Sequence, residues 1–354
     1  MIKRTIFSLT LACIVSSCTA NNGAVNPNKP NEKTITVSQA EIESVNKSGI
    51  VEANNKFGFK LFEEISKKEK NIFISPASIS MALTMTYNGS DGETKEAMAK
   101  TLELKDLNLD EINKSNNILK KQLTGTDPDI KLSIANSLWA DKGTQLKPDF
   151  IKNNEDNYDA KLSELDFNSP EALTTINGWV NDNTEGKIPK IIKKIEPGTF
   201  LYLINAIYFK GSWTDKFDKA KTVEKPFTLE DGNKKNVQMM AKSGEFSYYK
   251  EDNFQAVNLP YGKGNTSMYL FLPENDKDDS FYKSLNSENW DKWISSFSKK
   301  RGALELPRFK IEYENKLNDT LKNLGMTVAF SSGANFKKMV DGTAYISEVM
   351  HKTF

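Results

Sequence analysis

The chain has 354 residues, with 48 Lys and Arg against 47 Asp and Glu, 38% hydrophobic residues and 20 Phe. This length and apolar content allow one large domain or two ordinary ones with a substantial core. The balanced charge lacks the basic excess expected of a nucleic-acid-binding protein. The single histidine, His351, argues against most reactions that use an imidazole as acid or base.

The N-terminus has the pattern of an export signal. Lys3 and Arg4 precede an apolar stretch, Ile6 to Val15, that is too short to span a bilayer. It ends in Val15-Ser-Ser-Cys18, which resembles the lipobox of bacterial lipoproteins, whose cysteine becomes the lipid-bearing N-terminus. We therefore predict a signal peptide over residues 1–18, lipid attachment at Cys18, export and anchoring in the bacterial cell envelope. An ordinary secretory peptide with a chance cysteine is the alternative.

The two cysteines, Cys13 and Cys18, both lie in this leader. The rest of the chain has neither a thiol nor a disulfide, so a thiol enzyme and a cysteine-based metal site are excluded. We expect no cofactor, no metal and no enzymatic activity. Residues 19–41, rich in Asn, Pro, Lys and Thr, predict a flexible tether, with one domain over residues 42–354.

Apolar periodicity and turn residues predict a chain of helices and strands. In the first half, we expect helices from about Ile42, over Ser78–Tyr87, Asp91–Leu102 and Asp110–Leu123, from Pro148, and from Pro170 to Asn183, with strands at Asn71–Ser75 and Ile130–Ala140. In the second half, we expect short strands within Val223–Pro273, strands at Leu304–Ile311 and Ala344–Phe354, and helices at Ser280–Phe297 and Tyr313–Leu324. Helices first and a strand-rich half later indicate an α+β domain.

The stretch from Leu201 to Phe209 is apolar almost without a break, which predicts a strand covered on both faces. Asn205 is the one amide within it. A buried amide costs a few kcal/mol, on the order of 2 or more, unless it finds hydrogen-bonding partners. We therefore expect Asn205 to meet polar groups from other parts of the chain.

Six segments, in the same order, resemble the serpin family. They are Asn71–Ser78, Trp179–Pro189, Leu203–Phe217, Leu306–Phe309, Leu324–Met326 and Phe330–Ala334. Together they cover the chain from about residue 45 to its end. The resemblance implies an α+β fold of about eight or nine helices around three β-sheets, with a large central sheet.

The resemblance also implies an inhibitor of serine proteases, and in some members of cysteine proteases. Such a protein presents a bait loop that inserts, once cleaved, as a new strand into its largest sheet. The target would be a host, competitor or self protease, and we expect a monomer when full length. A non-inhibitory serpin that acts as a binding or structural module of the envelope is the alternative.

The family pattern assigns two groups of residues. Ser75, Ser78, Asn205 and His351 match a polar latch, the shutter, beneath the sheet, although Ser75 and Ser78 also suit a helix start. Trp213 and Arg308 match the breach, where the loop first enters and Arg308 would pair with an acidic residue. Core packing and a solvated charge are the alternatives for these two.

In the family, the hinge and the reactive bond follow the strand matched by Ala344–Phe354, beyond Phe354. We therefore expect residues 1–354 alone to inhibit no protease and to leave apolar faces and unpaired strand edges exposed. On the same pattern, the residue that sets protease preference also lies beyond Phe354.

Overall fold

The structure, a computed structural model, describes residues 37–125, 127–229, 232–274 and 280–354. The predicted leader, its Cys18 and most of the predicted tether lie outside these residues. The tether prediction extended to residue 41, but the first helix begins at Gln39. Ser38 and Glu41 form a capping box there, because each side chain accepts a hydrogen bond from the other's backbone N–H.

The described residues form ten α-helices and ten β-strands. The helices are α1 Gln39–Lys47, α2 Ile50–Ser66, α3 Pro76–Tyr87, α4 Gly92–Thr101, α5 Leu109–Gly125, α6 Pro148–Tyr158, α7 Pro170–Asn183, α8 Ser280–Lys283, α9 Ser287–Ser295 and α10 Asn318–Leu321. The strands are β1 Ile130–Asp141, β2 Lys161–Leu165, β3 Leu201–Gly211, β4 Val223–Thr228, β5 Lys234–Lys250, β6 Phe254–Tyr261, β7 Thr266–Pro273, β8 Ser298–Pro307, β9 Tyr313–Lys316 and β10 Glu348–Thr353.

The strands form two five-stranded sheets. The central sheet has the order β2-β1-β3-β10-β9, in which β3 is antiparallel to β1 and parallel to β10. The second sheet has the order β4-β5-β6-β7, with β8 paired to β5. The prediction of an α+β fold with a large central sheet is confirmed, although the described residues form two sheets and ten α-helices where three sheets and about eight or nine helices were expected.

The central strand β3 is buried on both faces, as its sequence predicted. On the back face, Leu203 packs into the main core with side chains of α2 and α3. On the front face, Tyr202 and Ile204 pack with α7 and with the segment that follows it. Within the described part, no helix combines the length and apolar content needed to cross a membrane.

Two predicted elements differ in type because tertiary partners decide their conformation. Asn71–Ser75 is extended but pairs with no strand. Its polar backbone groups instead meet side chains of β10, since Thr353 donates to the Phe73 carbonyl. The predicted helix Tyr313–Leu324 begins as strand β9, because Tyr313–Lys316 pairs with β10 at the sheet edge.

Three predicted boundaries also differ. Strand β5 is one run of 17 residues rather than several short strands. Strand β8 starts at Ser298, before the predicted Leu304, because Ser298–Pro307 pairs along β5. The predicted helix Ser280–Phe297 is two helices, α8 and α9, with Asn286 capping the second through a bond to the Asn289 N–H.

Candidate functional site

Four residues from three distant parts of the chain meet behind the middle of the central sheet. Ser75 precedes α3, Ser78 lies in its first turn, and Asn205 and His351 are direct neighbours on β3 and β10. All four are at most 9% exposed. The structure therefore brings together the residues that the family pattern placed in the shutter.

Asn205 uses both ends of its amide group. Its Nδ2 donates to Asn136 Oδ1 at 2.6 Å, to the Ser78 carbonyl at 3.3 Å and to the Ser78 hydroxyl. Its Oδ1 lies 2.6 Å from His351 Nδ1. The expectation that Asn205 meets polar partners is confirmed, and these bonds link β1, β3, β10 and α3 in one network.

The hydrogen bonds of His351 define its protonation state. The Ser75 backbone N–H donates to His351 Nε2 at 3.3 Å, so Nε2 carries no proton. Nδ1 then carries the proton and donates to Asn205 Oδ1. Burial lowers the pKa of His351 to about 3, so the imidazole is neutral at ordinary pH.

Sequence reasoning missed the fifth member of this group, Asn136 on β1. It is 1% exposed and lies directly opposite Asn205 in the antiparallel pair. Its Oδ1 accepts the Asn205 amide, whereas its Nδ2 has no hydrogen-bond partner. The signal that identified Asn205, an amide within an apolar strand, was also present here in the sequence from Ile134 to Ala140. We call Ser75, Ser78, Asn136, Asn205 and His351 the latch cluster.

The latch cluster spans the boundary between β3 and β10, which we call the seam. Strand β3 pairs with β1 along its entire length, from Leu201 to Gly211. It pairs with β10 over Tyr202–Ile207, and further backbone bonds join Ser347 to Leu201 and Phe354 to Ile207 and Phe209. The seam is therefore a hydrogen-bonded boundary, and the latch cluster lies across it.

Ser75 is the N-cap residue of α3, but its side chain makes no capping hydrogen bond. Its backbone N–H bonds His351 instead. The capping alternative is therefore wrong for the Ser75 hydroxyl. Helix α3 starts at Pro76, two residues before the predicted Ser78, because proline suits the first helical position.

The two predicted breach residues lie near the far end of β3. The Trp213 ring stacks on Tyr261, with centroids 4.3 Å apart, and packs in an apolar cluster with Leu306. Arg308 follows β8, its side chain is exposed, and its backbone N–H donates to the Gln238 carbonyl. The surroundings of Trp213 are those of the core-packing alternative. The exposed Arg308 side chain is consistent with the alternative of a solvated charge.

The described residues contain no cluster of His, Cys, Asp and Glu that could hold a metal ion. His351 is enclosed and already bonded through both ring nitrogens. The site's chemistry is thus hydrogen bonding between strands.

A sequence model of the serpin family, described as serine protease inhibitor, matches residues 52–354. The chain belongs to the serpin family. The leukocyte elastase inhibitor of Xenopus laevis is 34% identical over 316 residues, which are 84% of this chain and 83% of that relative. The human leukocyte elastase inhibitor is also 34% identical, over 85% of this chain and 84% of its own length.

Two solved serpin-like structures resemble this serpin over most of its chain. The thermophilic serpin tengpin in its native state has a TM-score of 0.80 and 34% identity, covering 98% of this chain and 85% of tengpin. Human thyroxine-binding globulin, solved with its ligand, has a TM-score of 0.81 and 27% identity, covering 88% of this chain and 85% of its own.

Proposed function

We propose that this serpin inhibits serine-type endopeptidases, with cysteine-type enzymes as a second target class, by accepting its cleaved bait loop as a new strand. The seam carries this proposal. A further strand between β3 and β10 would gain a full ladder of hydrogen bonds and burial on both faces. The similarity to two leukocyte elastase inhibitors supports a protease as the partner.

The latch cluster would have a mechanical role in this proposal. The seam cannot open unless the bond between Asn205 and His351 breaks, because each residue belongs to a different strand. Both groups are buried, so breaking it without replacement costs about 1–3 kcal/mol for each group left unpaired. The latch would keep the sheet closed until the loop supplies the energy of a new strand.

The experiment is complex formation. The 354-residue chain, and the chain extended by the codons that follow residue 354 in its gene, are each incubated with a panel of serine and cysteine proteases. We expect the extended chain to give 1:1 complexes that survive a denaturing gel. On the family pattern, the bait loop follows the strand matched by β10, so residues 1–354 alone are expected to give none. Cleavage of the extended chain by every protease without a complex would refute the proposal.

A serpin that binds rather than inhibits is the second candidate. Its support is the similarity to thyroxine-binding globulin, whose structure holds thyroxine. The same gel assay separates the two functions, because a binding protein is cut by proteases without trapping them.

We also propose that the protein is exported and attached through lipid on Cys18 to the cell envelope. The leader sequence supports this. Incorporation of labelled fatty acid into the wild-type chain, and its loss in Cys18→Ser, is the expected result. Equal labelling of both chains would contradict the lipobox interpretation.

A further inference from the structure

A cleft of about 520 Å³ lies between the first half of α2 and the end of α4. None of its residues belongs to the central sheet or to the latch cluster. Its first wall consists of residues of 49–60, its second consists of residues of 100–107, and Leu324 completes the lining. A cleft of this volume is large enough to hold a small organic molecule.

Part of the lining is apolar. Ala53 is 4% exposed, and Leu107 and Leu324 are half-buried and also pack against the main core. The Thr101 hydroxyl donates to the Leu324 carbonyl at 3.1 Å, which ties the end of α4 to the segment that carries Leu324. Three separate segments of the chain therefore build one surface on which an alkyl group can leave water.

The lining also contains four lysines and three carboxylates. Two of the carboxylates are already neutralised. Lys56 pairs with Glu52 at 2.6 Å on α2, and Lys60 pairs with Glu103 across the cleft. The third carboxylate, Asp106, is exposed and has no ion pair among the described residues.

Lys100 and Lys105 are the two lysines of the cleft that have no carboxylate partner in the described part of the chain. Lys100 lies in the last turn of α4, where a cation can stabilise the helix end. The end of α4 is, however, capped by backbone groups, since the Leu104 N–H donates to the Ala99 carbonyl at 2.7 Å. Capping therefore does not require either ammonium group, and both are available to an anion.

We infer that this cleft binds an organic anion that joins a phosphate or carboxylate group to a short apolar chain. Lys100 and Lys105 hold the anionic group through charge-assisted hydrogen bonds. The chain lies on the apolar lining formed by Ala53, Leu107 and Leu324. A phosphate, which carries more charge than a carboxylate, binds more tightly.

The test titrates four probes into the protein by calorimetry, with each amphiphile kept below its micelle concentration. Octyl phosphate and octanoate carry both recognised features, whereas inorganic phosphate lacks the chain and octyl glucoside lacks the charge. The variants are Lys100→Gln/Lys105→Gln and Lys100→Arg/Lys105→Arg. The matched control, Lys142→Gln/Lys161→Gln, removes two exposed lysines next to β1 and in β2 that also have no ion pair among the described residues.

We expect octyl phosphate to form a 1:1 complex and to raise the thermal midpoint, with octanoate weaker. Inorganic phosphate and octyl glucoside should each bind at least about tenfold more weakly than octyl phosphate, because each offers only one of the two features. Lys100→Gln/Lys105→Gln should lose at least about tenfold in affinity for octyl phosphate. The Arg variant and the control should keep the wild-type affinity, and high salt should weaken binding to the wild-type protein.

Three results would overturn the inference. Equal affinity of the wild-type protein and Lys100→Gln/Lys105→Gln for octyl phosphate would mean that the probe binds elsewhere. Equal binding of octyl phosphate and octyl glucoside would mean that only apolar surface is recognised. Failure of every probe to bind would mean that the cleft is not an anion site. None of these results bears on protease inhibition, which the formation of complexes tests separately.

Discussion

Because His351 is buried and neutral, the free energy of unfolding of this serpin should decrease at acidic pH. Replacing His351 alone should remove this part of the pH dependence. The Nε2 atom of His351 accepts a hydrogen bond from the Ser75 backbone N–H. A proton added to Nε2 would therefore face the Ser75 N–H, and two donors cannot bond each other. Burial lowers the pKa of His351 to about 3, against an ordinary value of about 6.5. Between these values, the unfolded chain binds a proton at His351 and the folded protein does not.

The sign and size follow from this difference. Because the folded-state pKa lies below the unfolded one, the stabilisation is complete above about pH 6.5 and is lost as the pH falls toward 3. The loss is about 1.4 kcal/mol per pH unit within that window. At pH 5, the protein should have lost about 2 kcal/mol of its free energy of unfolding through this residue alone.

The assay is urea-induced unfolding of the wild-type protein and of His351→Gln at pH 8 and pH 5. Carboxylates titrate equally in both proteins, so the difference between their free energies of unfolding isolates the contribution of His351. This difference in free energy should fall by about 2 kcal/mol on going from pH 8 to pH 5. A difference that stays constant within 0.5 kcal/mol, on the order of experimental error, would refute a neutral and buried His351.

Two further stability predictions use matched pairs. Asn205→Ala leaves groups of Ser78, Asn136 and His351 without their partner and should lower the free energy of unfolding by about 3 kcal/mol or more. The control, Asn236→Ala, replaces an exposed residue and should change that free energy by less than about 0.5 kcal/mol. Equal losses in denaturant unfolding would contradict the role given to the latch cluster. Gly89→Ala places a methyl group 2.6 Å from Met339 Cβ and should lower the free energy of unfolding by about 1–3 kcal/mol. Gly178→Ala, in α7, places its methyl group where nothing lies within 4 Å and should raise that free energy by about 0.5–1 kcal/mol. Thermal midpoints that move in the same direction would contradict this packing.

Local patterns predicted much of the fold. Helix α7 begins and ends as Ser169-Pro170 and Asn183 indicated, and β3 is buried on both faces as its apolar run required. These elements are determined by their own residues. Tyr313–Lys316 is different, because its conformation depends on pairing with β10, which lies more than 30 positions away. A helix and an edge strand were both compatible with its local sequence.

Part of the candidate site was predictable from the sequence, and part of it depended on tertiary structure. Asn205 and His351 could be assigned because a buried amide and a lone histidine stand out in the sequence. Asn136 lies in a strand that also contains Ser133 and Ser137, so its inward direction became evident only from its register opposite Asn205. The contacts of Asn177 with the backbone N–H groups of Ile191 and Ile192 could not be predicted from the sequence, since they depend on how the irregular segment after α7 folds back on that helix.

The central claim is that the seam, and no other boundary of the sheet, opens to admit a strand. Ala206 of β3 lies opposite Lys352 of β10 and also opposite Ala135 of β1, so two disulfide locks can share one position. We expect the oxidised Ala206→Cys/Lys352→Cys protein to exclude an acetylated 11-residue peptide of alternating Thr and Ala, which matches the length of β3, and to admit it after reduction. The oxidised Ala135→Cys/Ala206→Cys protein should admit the peptide in both states. Entry into the protein whose seam is locked would contradict the account.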